Sequence, residues 1–124
     1  MFEILFWLYL ANAVFIICHE IDSAYWNEWE LFKLPGGITL FLILHFPILF
    51  FILFGVNLVY RQTYGGLVVS LILGAGGIFA FFIHTYFIKK GRDEFRIPIS
   101  IFILVAIAVV SIAQMALSIF IILK

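Results

Sequence analysis

Four long apolar runs constrain the fold of this chain more than any other feature. They cover about residues 2–18, 38–60, 66–88 and 98–123. Runs of about 20 apolar residues are long enough to cross the hydrocarbon core of a bilayer. The whole chain is 66% hydrophobic and 11% charged, whereas a soluble domain is roughly 45–50% apolar and about 25% charged. A soluble fold of this size could not bury so much apolar surface, so we predict a membrane protein.

The predicted fold is an all-α bundle of four transmembrane helices with short loops, forming one integral membrane domain over residues 1–124. We predict helices at about residues 2–33, 38–60, 66–88 and 98–123. The first helix is longer than a span requires, because neither Gly nor Pro interrupts the chain between Cys18 and Pro35. Its end is expected to leave the lipid or to lie along the membrane as an interfacial segment.

Positive charge is unevenly shared between the two ends of the predicted bundle. Counting passes places segments 19–37 and 89–96 on one side, and the 61–65 turn with both termini on the other. The first side carries most of the basic residues, namely Lys33, Lys89, Lys90, Arg92 and Arg96, and the second carries Arg61 and Lys124. The positive-inside rule therefore predicts that segments 19–37 and 89–96 are cytoplasmic.

The polar stretch from Cys18 to Glu30 is the most distinctive motif of the chain. It follows the first apolar run directly and holds one of the three histidines, His19. It also holds four of the seven acidic residues, Glu20, Asp22, Glu28 and Glu30. On a helix, residues three apart are neighbours, so His19 and Asp22 share a face while Glu20 lies off it. The stretch therefore predicts half of a polar site at one membrane face.

Two further histidines are predicted to reach the same membrane face from other helices. His45 lies seven residues into the second predicted helix, about 10 Å deep at 1.5 Å per residue. His84 lies five residues before Lys89, about 7–8 Å from the same face. It belongs to a helical stripe of Ser70, Gly74, Gly77, Phe81 and His84. Small residues let helices approach closely in lipid, so this stripe should face the bundle.

These residues predict a metal site, since intramembrane ionisable groups are costly and are functional candidates by default. Imidazole and carboxylate bind divalent transition metals, zinc among them. The predicted ligands are His19, His45 and His84. Asp22 would be a fourth ligand or would orient an imidazole, and Glu20 is the predicted catalytic general base. The alternative for each histidine is a structural hydrogen bond to a neighbouring helix. For His19 and the acidic residues a further alternative is a solvated interfacial segment.

The HEID motif at residues 19–22, the EW pair at residues 28–29 and the later His45 resemble a known pattern. They are similar to an uncharacterised family of small multi-pass bacterial membrane proteins with an H-E-[IL]-D motif and a following E-W pair. The resemblance covers roughly the first half of the chain. It implies a bacterial inner-membrane protein in which these positions act together, and it implies no activity. A looser likeness, in the inventory of site residues alone, is to the zinc-containing transmembrane hydrolases of the alkaline ceramidase and adiponectin-receptor type.

The function predicted from these residues is a membrane-embedded, metal-dependent hydrolase acting on a lipid-like substrate. One alternative is a small structural or accessory subunit of a membrane complex, including one that binds haem between histidines of helices two and three. Another is a carrier, which would need oligomerisation to lengthen its pathway. The expected partners are membrane lipids and a homo-oligomer or larger membrane complex. The net charge of zero offers no basic surface for nucleic acid.

Overall fold

Five α-helices and no strand make up the chain in the computed structural model, which describes residues 1–124. The helices are α1 Phe2–Tyr25, α2 Glu28–Leu31, α3 Gly37–Tyr60, α4 Tyr64–Lys89 and α5 Pro98–Leu123. The four long helices have 24 to 26 residues each and are apolar enough to cross a membrane. The prediction of an all-α bundle with four membrane-spanning helices is therefore confirmed.

The predicted first helix over about residues 2–33 is divided by a turn. The α1 helix ends at Tyr25, and Asn27 adopts a φ of 53°, in the left-handed region. Asparagine adopts this region more readily than most residues, because its short polar side chain can hydrogen-bond locally. The four-residue helix α2 that follows packs against α3 and α1. The polar stretch therefore folds back against the bundle instead of continuing along the axis of α1.

The interface between α4 and α5 depends on glycines that let the two helices approach closely. A Cβ atom at Gly74 would overlap Met115, and one at Gly77 would overlap Ser111. Both glycines are buried, as is His84 on the same stripe of α4. The prediction that this stripe faces the bundle is confirmed, and it explains why His84 faces protein and not lipid.

A buried hydrogen-bond network joins α1, α4 and α5 in the half of the bundle that contains the N-terminus. The Nδ2 atom of Asn12 donates to Ser111 Oγ at 3.0 Å and to Gln114 Oε1 at 2.9 Å. The Nε2 atom of Gln114 donates to the Ser70 carbonyl at 2.8 Å, and the hydroxyls of Ser70 and Ser118 are 2.9 Å apart. The network fixes the register of α1 and α4, the two helices that carry the buried histidines.

The α3 helix is the least buried of the four spans. Only 6% of the residues in its apolar span are buried, compared with 39% in α4, so most of its side chains suit contact with acyl chains. The Tyr9 hydroxyl anchors it to α1 by donating to the Ile52 carbonyl at 2.9 Å, beside Gly55. One face of α3 therefore contacts the bundle, and that face carries His45.

Candidate metal centre

The ends of α1 and α4 bring His19 and His84 together. The centroids of the two imidazole rings are 4.7 Å apart, and the rings meet edge to face. Both residues are buried, with 3% and 1% of their surface exposed. His19 lies in the last two turns of α1, and His84 lies near the end of α4. Both helices run toward this end of the bundle, so the two side chains meet at one depth.

Glu28 in α2 joins these histidines to form a group of three potential metal ligands. Its Oε1 atom lies 2.9 Å from the Nε2 atom of His84. One ligand atom from each of His19, Glu28 and His84 lies within 4.8 Å of the other two. Imidazole nitrogen and carboxylate oxygen are ligands of zinc and of other divalent transition metals. The group could therefore hold such an ion, with one ligand from each of three separate helices.

The Nδ1 atoms of both histidines are buried and have no hydrogen-bond partner within the protein. His84 directs its Nε2 atom at Glu28, so Nδ1 is the ring nitrogen that is left over. A buried polar atom without a partner costs about 1–3 kcal/mol, and such atoms are few in native proteins. A bound cation would give the Nδ1 atom of His19 a partner, whereas a cation at Nε2 of His84 would leave the Nδ1 atom of His84 unpartnered.

The Glu28 side chain is a carboxylate in this environment. Burial acts to raise the pKa of its carboxyl group. The hydrogen bond from His84 and the charges of His84 and His19 act in the opposite direction, and together they hold the pKa of Glu28 below its usual value. The ionised form therefore faces the two imidazoles near neutral pH, and this is the form that coordinates a metal.

Glu20 and His45 form a second pair beside the first group. The Nε2 atom of His45 lies 2.5 Å from Glu20 Oε2, and its Nδ1 atom lies 2.6 Å from the Phe41 carbonyl oxygen. A carbonyl only accepts, so Nδ1 carries a proton and Nε2 is directed at the carboxyl group of Glu20. The Phe41 ring also stacks on the imidazole, with centroids 3.9 Å apart. The structure thus places the predicted ligand His45 with Glu20, outside the His19–Glu28–His84 group.

Asp22 lies on the predicted face of α1 but faces another partner. Its Oδ1 atom accepts a hydrogen bond from Trp26 Nε1 at 3.0 Å. It is not a member of the group of three potential ligands. The structure therefore does not bring this predicted fourth ligand to the two clustered histidines, and Asp22 instead holds the indole of Trp26.

A cavity of about 240 Å³ connects Glu28 with the Glu20–His45 pair. Glu20, Glu28 and His45 all line it, and its remaining walls are mainly apolar residues of α3 and of the segment after α2. Both carboxyl groups therefore face the same space. A molecule held at Glu28 would lie within reach of the Glu20–His45 pair.

Phe95 covers the His19–His84 group from the loop between α4 and α5. Only 1% of its surface is exposed, although its loop is strongly charged. Its ring centroid lies 4.2 Å from that of His84, 5.5 Å from that of His19 and 6.4 Å from that of Trp26. The φ angle of Phe95 is 65°, a conformation that bulky residues rarely adopt. An apolar ring at this position shields the two imidazoles from water.

Sequence reasoning did not select Glu28 or Phe95 as site residues. Glu28 carried a usable signal, since it belongs to the polar stretch and to the EW pair. Phe95 carried a weaker one, as a single aromatic residue between Glu94 and Arg96 in the most charged loop. Neither signal says which acidic or aromatic side chain folds back onto the histidines.

Four membrane-length helices and a buried His/Glu group define a multi-pass helical membrane protein with a candidate metal centre. The chain belongs to the family of unknown function DUF6713, whose family model matches residues 5–120. The expectation of an uncharacterised family is confirmed at that level. No curated protein and no solved structure gives a significant match.

Proposed function

We propose that this protein is a membrane-embedded hydrolase that uses a divalent transition metal, zinc being the leading candidate, to cleave a lipid-like substrate. The metal would be bound by His19, Glu28 and His84. The observation that carries the proposal is that one ligand atom from each of these residues lies within 4.8 Å of the other two.

The donor set favours zinc in a catalytic type of site. Two histidines and one glutamate leave a fourth position of a tetrahedral ion for water, as in catalytic zinc sites with three protein ligands. Bonds of about 2.0–2.1 Å place neighbouring tetrahedral ligands roughly 3.3 Å apart. The 2.9 Å between His84 Nε2 and Glu28 Oε1 is close to that separation. The His19 ligand atom lies within 4.8 Å of the other two and would move toward them where that distance exceeds about 3.3 Å.

The Glu20–His45 pair supplies the proton transfer that hydrolysis requires. A metal held by His19, Glu28 and His84 would supply a bound water of lowered pKa, which could attack the carbonyl carbon of an ester or amide. One proton leaves the attacking water and one must reach the oxygen or nitrogen of the departing group. Glu20 would accept the first proton as a carboxylate and return it to the leaving group, and His45, carrying a proton on each ring nitrogen, would hold that carboxylate in place by donating from Nε2. Phe41 fixes the orientation of His45 through its carbonyl oxygen.

The sequence motif and the distribution of basic residues agree with this proposal. The HEID motif and the EW pair contribute His19, Glu20 and Glu28, so the pattern would be one catalytic unit. In this setting Asp22 orients Trp26 and does not bind the metal. The surplus of Lys and Arg in segments 19–37 and 89–96 supports a site on the cytoplasmic side of the membrane, and the resemblance to small bacterial membrane proteins favours the bacterial inner membrane.

The metal is tested by elemental analysis of the detergent-purified protein. The isosteric substitutions Glu28→Gln and Asp22→Asn form a matched pair, and His84→Ala is a third variant. Wild type should carry about one zinc ion per chain, since one group of three ligands is present. Glu28→Gln and His84→Ala should lose it. Asp22→Asn, on the predicted but unclustered carboxylate, should retain it. Absence of metal from the wild type, or full retention by Glu28→Gln, would remove the proposed centre.

The hydrolase assignment has a separate test. Purified protein is incubated with a panel of ester- and amide-linked lipids, and the released fatty acid is measured. Glu20→Gln should keep its metal and lose activity by about 100-fold or more, the usual contribution of a general base. A metal-loaded wild type that releases no fatty acid from any of these lipids would contradict the hydrolase assignment and leave the metal site standing.

A further inference from the structure

A second cavity opens between α3 and α4. Its volume is about 210 Å³, and its walls include Phe51 from α3 with Gly76 and Ala80 from α4. His19 and Glu20 of α1 form its polar inner wall. His19 is buried, and its Nδ1 atom has no partner within the protein. The cavity therefore has apolar sides and ends at the residues of the candidate site.

Gly76 has no packing role that explains its identity. A Cβ atom at Gly74 or Gly77 would overlap residues of α5, whereas one at Gly76 would meet nothing within 4 Å. Glycine inside a helix is about 1 kcal/mol less favourable than alanine. Gly76 is exposed and lines the cavity between α3 and α4, so the missing side chain leaves this cavity wider.

The position of the cavity limits what can fill it. Gly76 lies near the middle of the α4 span, where the surroundings of the protein are acyl chains. Phe51 and Ile72, which also line the cavity, are exposed to these surroundings. Glu20 and Ile48 line both this cavity and the one that contains Glu28 and His45. One molecule could therefore keep its chain in the cavity and its polar end at the site.

The charges at the inner end narrow the class of ligand further. Glu20 and Glu28 are both carboxyl groups, and each is directed at a histidine. No Lys or Arg lines either cavity, so an anionic headgroup would have no fixed cationic side chain to pair with. A neutral ester or amide linkage can instead accept or donate hydrogen bonds without bringing a charge.

We infer that the cavity between α3 and α4 binds the acyl chain of a lipid whose neutral ester or amide linkage lies at Glu20 and His19. As a substrate site this rests on the proposed hydrolase function, but binding of the chain requires no metal. Gly76 keeps the cavity wide enough for the chain. The length and shape of the chain that fits would then depend on apolar residues of α3 and α4.

The probe is a monoacylglycerol with a photoreactive diazirine in its acyl chain, added to the full-length protein in nanodiscs. After illumination, labelled peptides are mapped by mass spectrometry. Wild type should be labelled on α3 and α4 residues that line the cavity. Gly76→Leu should reduce this labelling by about tenfold, because the added side chain occupies space that the acyl chain needs. This factor corresponds to a binding loss of about 1.4 kcal/mol. Ala75→Leu, at the exposed neighbouring position outside the cavity, should not reduce it.

Metal content and oligomeric state are measured on the same samples. Gly76→Leu should retain its zinc, which shows that the site end of the bundle is intact, and Ala80→Leu should reproduce the labelling loss. Cavity labelling in a wild type without metal would support the lipid site and contradict the proposal of a metal-dependent hydrolase. Labelling that Gly76→Leu leaves unchanged would overturn the lipid site alone. So would a dimer that Gly76→Leu converts to a monomer, since a second copy would then fill the cavity.

Discussion

The Oε1 atom of Glu28 lies 2.9 Å from the Nε2 atom of His84, so a four-residue helix outside the spans is joined to the end of a membrane-spanning helix. Glu28 reaches this position because the chain turns at Asn27, where the backbone adopts a φ of 53°. The contact ties the polar stretch that follows α1 to the most buried histidine of the chain.

Replacing Glu28 by alanine should destabilise the apoprotein by about 1–3 kcal/mol, because His84 Nε2 is left buried without a partner. The measurement is thermal unfolding in detergent with a metal chelator present, so that lost metal binding does not contribute. Glu30→Ala is the matched control, since Glu30 is an exposed acid on the same short helix. Equal unfolding temperatures for the two variants would mean that the Glu28–His84 contact does not stabilise the fold.

The turn at Asn27 should control metal affinity without touching the metal. Asn27→Val forces a β-branched residue into the left-handed region, at a cost of roughly 1–2 kcal/mol, and should shift Glu28 away from His84. We expect zinc binding to weaken by about 10–100-fold, as for other supporting residues of metal sites. Asn27→Gly, which adopts this conformation freely, should bind as wild type does. Competition with a chromophoric chelator measures both values, and similar affinities would contradict this role.

Phe95 should limit exchange of the metal with solvent. Phe95→Leu keeps an apolar side chain but removes the ring that packs on His84, so water reaches the group more easily. Zinc release to excess chelator should become faster by about tenfold or more, because the apolar shell controls solvent access to a metal site. Asp93→Ala changes a fully exposed carboxylate in the same loop and should not alter the rate. A release rate unchanged by Phe95→Leu would show that the ring does not close the site.

The hydrogen-bond network at the other end of the bundle should stabilise the fold independently of the metal. Gln114→Leu removes the bonds to Asn12 and to the Ser70 carbonyl. At about 0.6 kcal/mol for an average interhelical bond in a membrane, and up to about 1.7, the loss should be roughly 1–3 kcal/mol. Ala113→Leu, at the exposed position beside it, is the control. Zinc content should stay at the wild-type level in both variants, and its loss in Gln114→Leu would contradict the separation of the two regions.

The sequence was most informative where one physical requirement dominated. Apolar runs longer than a bilayer core left helices as the only acceptable spans, so the four-helix fold followed from hydropathy. The inward face of α4 followed from Gly74 and Gly77, because helices approach most closely at small residues. Both predictions needed only periodicity along a single helix.

The site was harder to predict, because its geometry depends on how separate segments meet. A continuous helix after His19 would have kept Asp22 and His19 as the natural pair, and that picture hid Glu28. The turn at Asn27 is a single-residue event that helix propensity does not report. The partner of His45 was also missed. Residue counts give the depth of His45, but which side chain of α1 it meets depends on the rotation of α1 against α3.

The Tyr9–Ile52 hydrogen bond also has a mechanical consequence. It fixes α3 to α1 two turns from the N-terminal end of α1, while the end of α3 nearer the polar site is held to α1 by the contact between His45 and Glu20. Any outward tilt of that end would pivot about the Tyr9–Ile52 hydrogen bond. Such a tilt would separate His45 from Glu20 and widen the cavity between α3 and α4 at the same time. Entry of a lipid from the bilayer would then be coupled to separation of the Glu20–His45 pair.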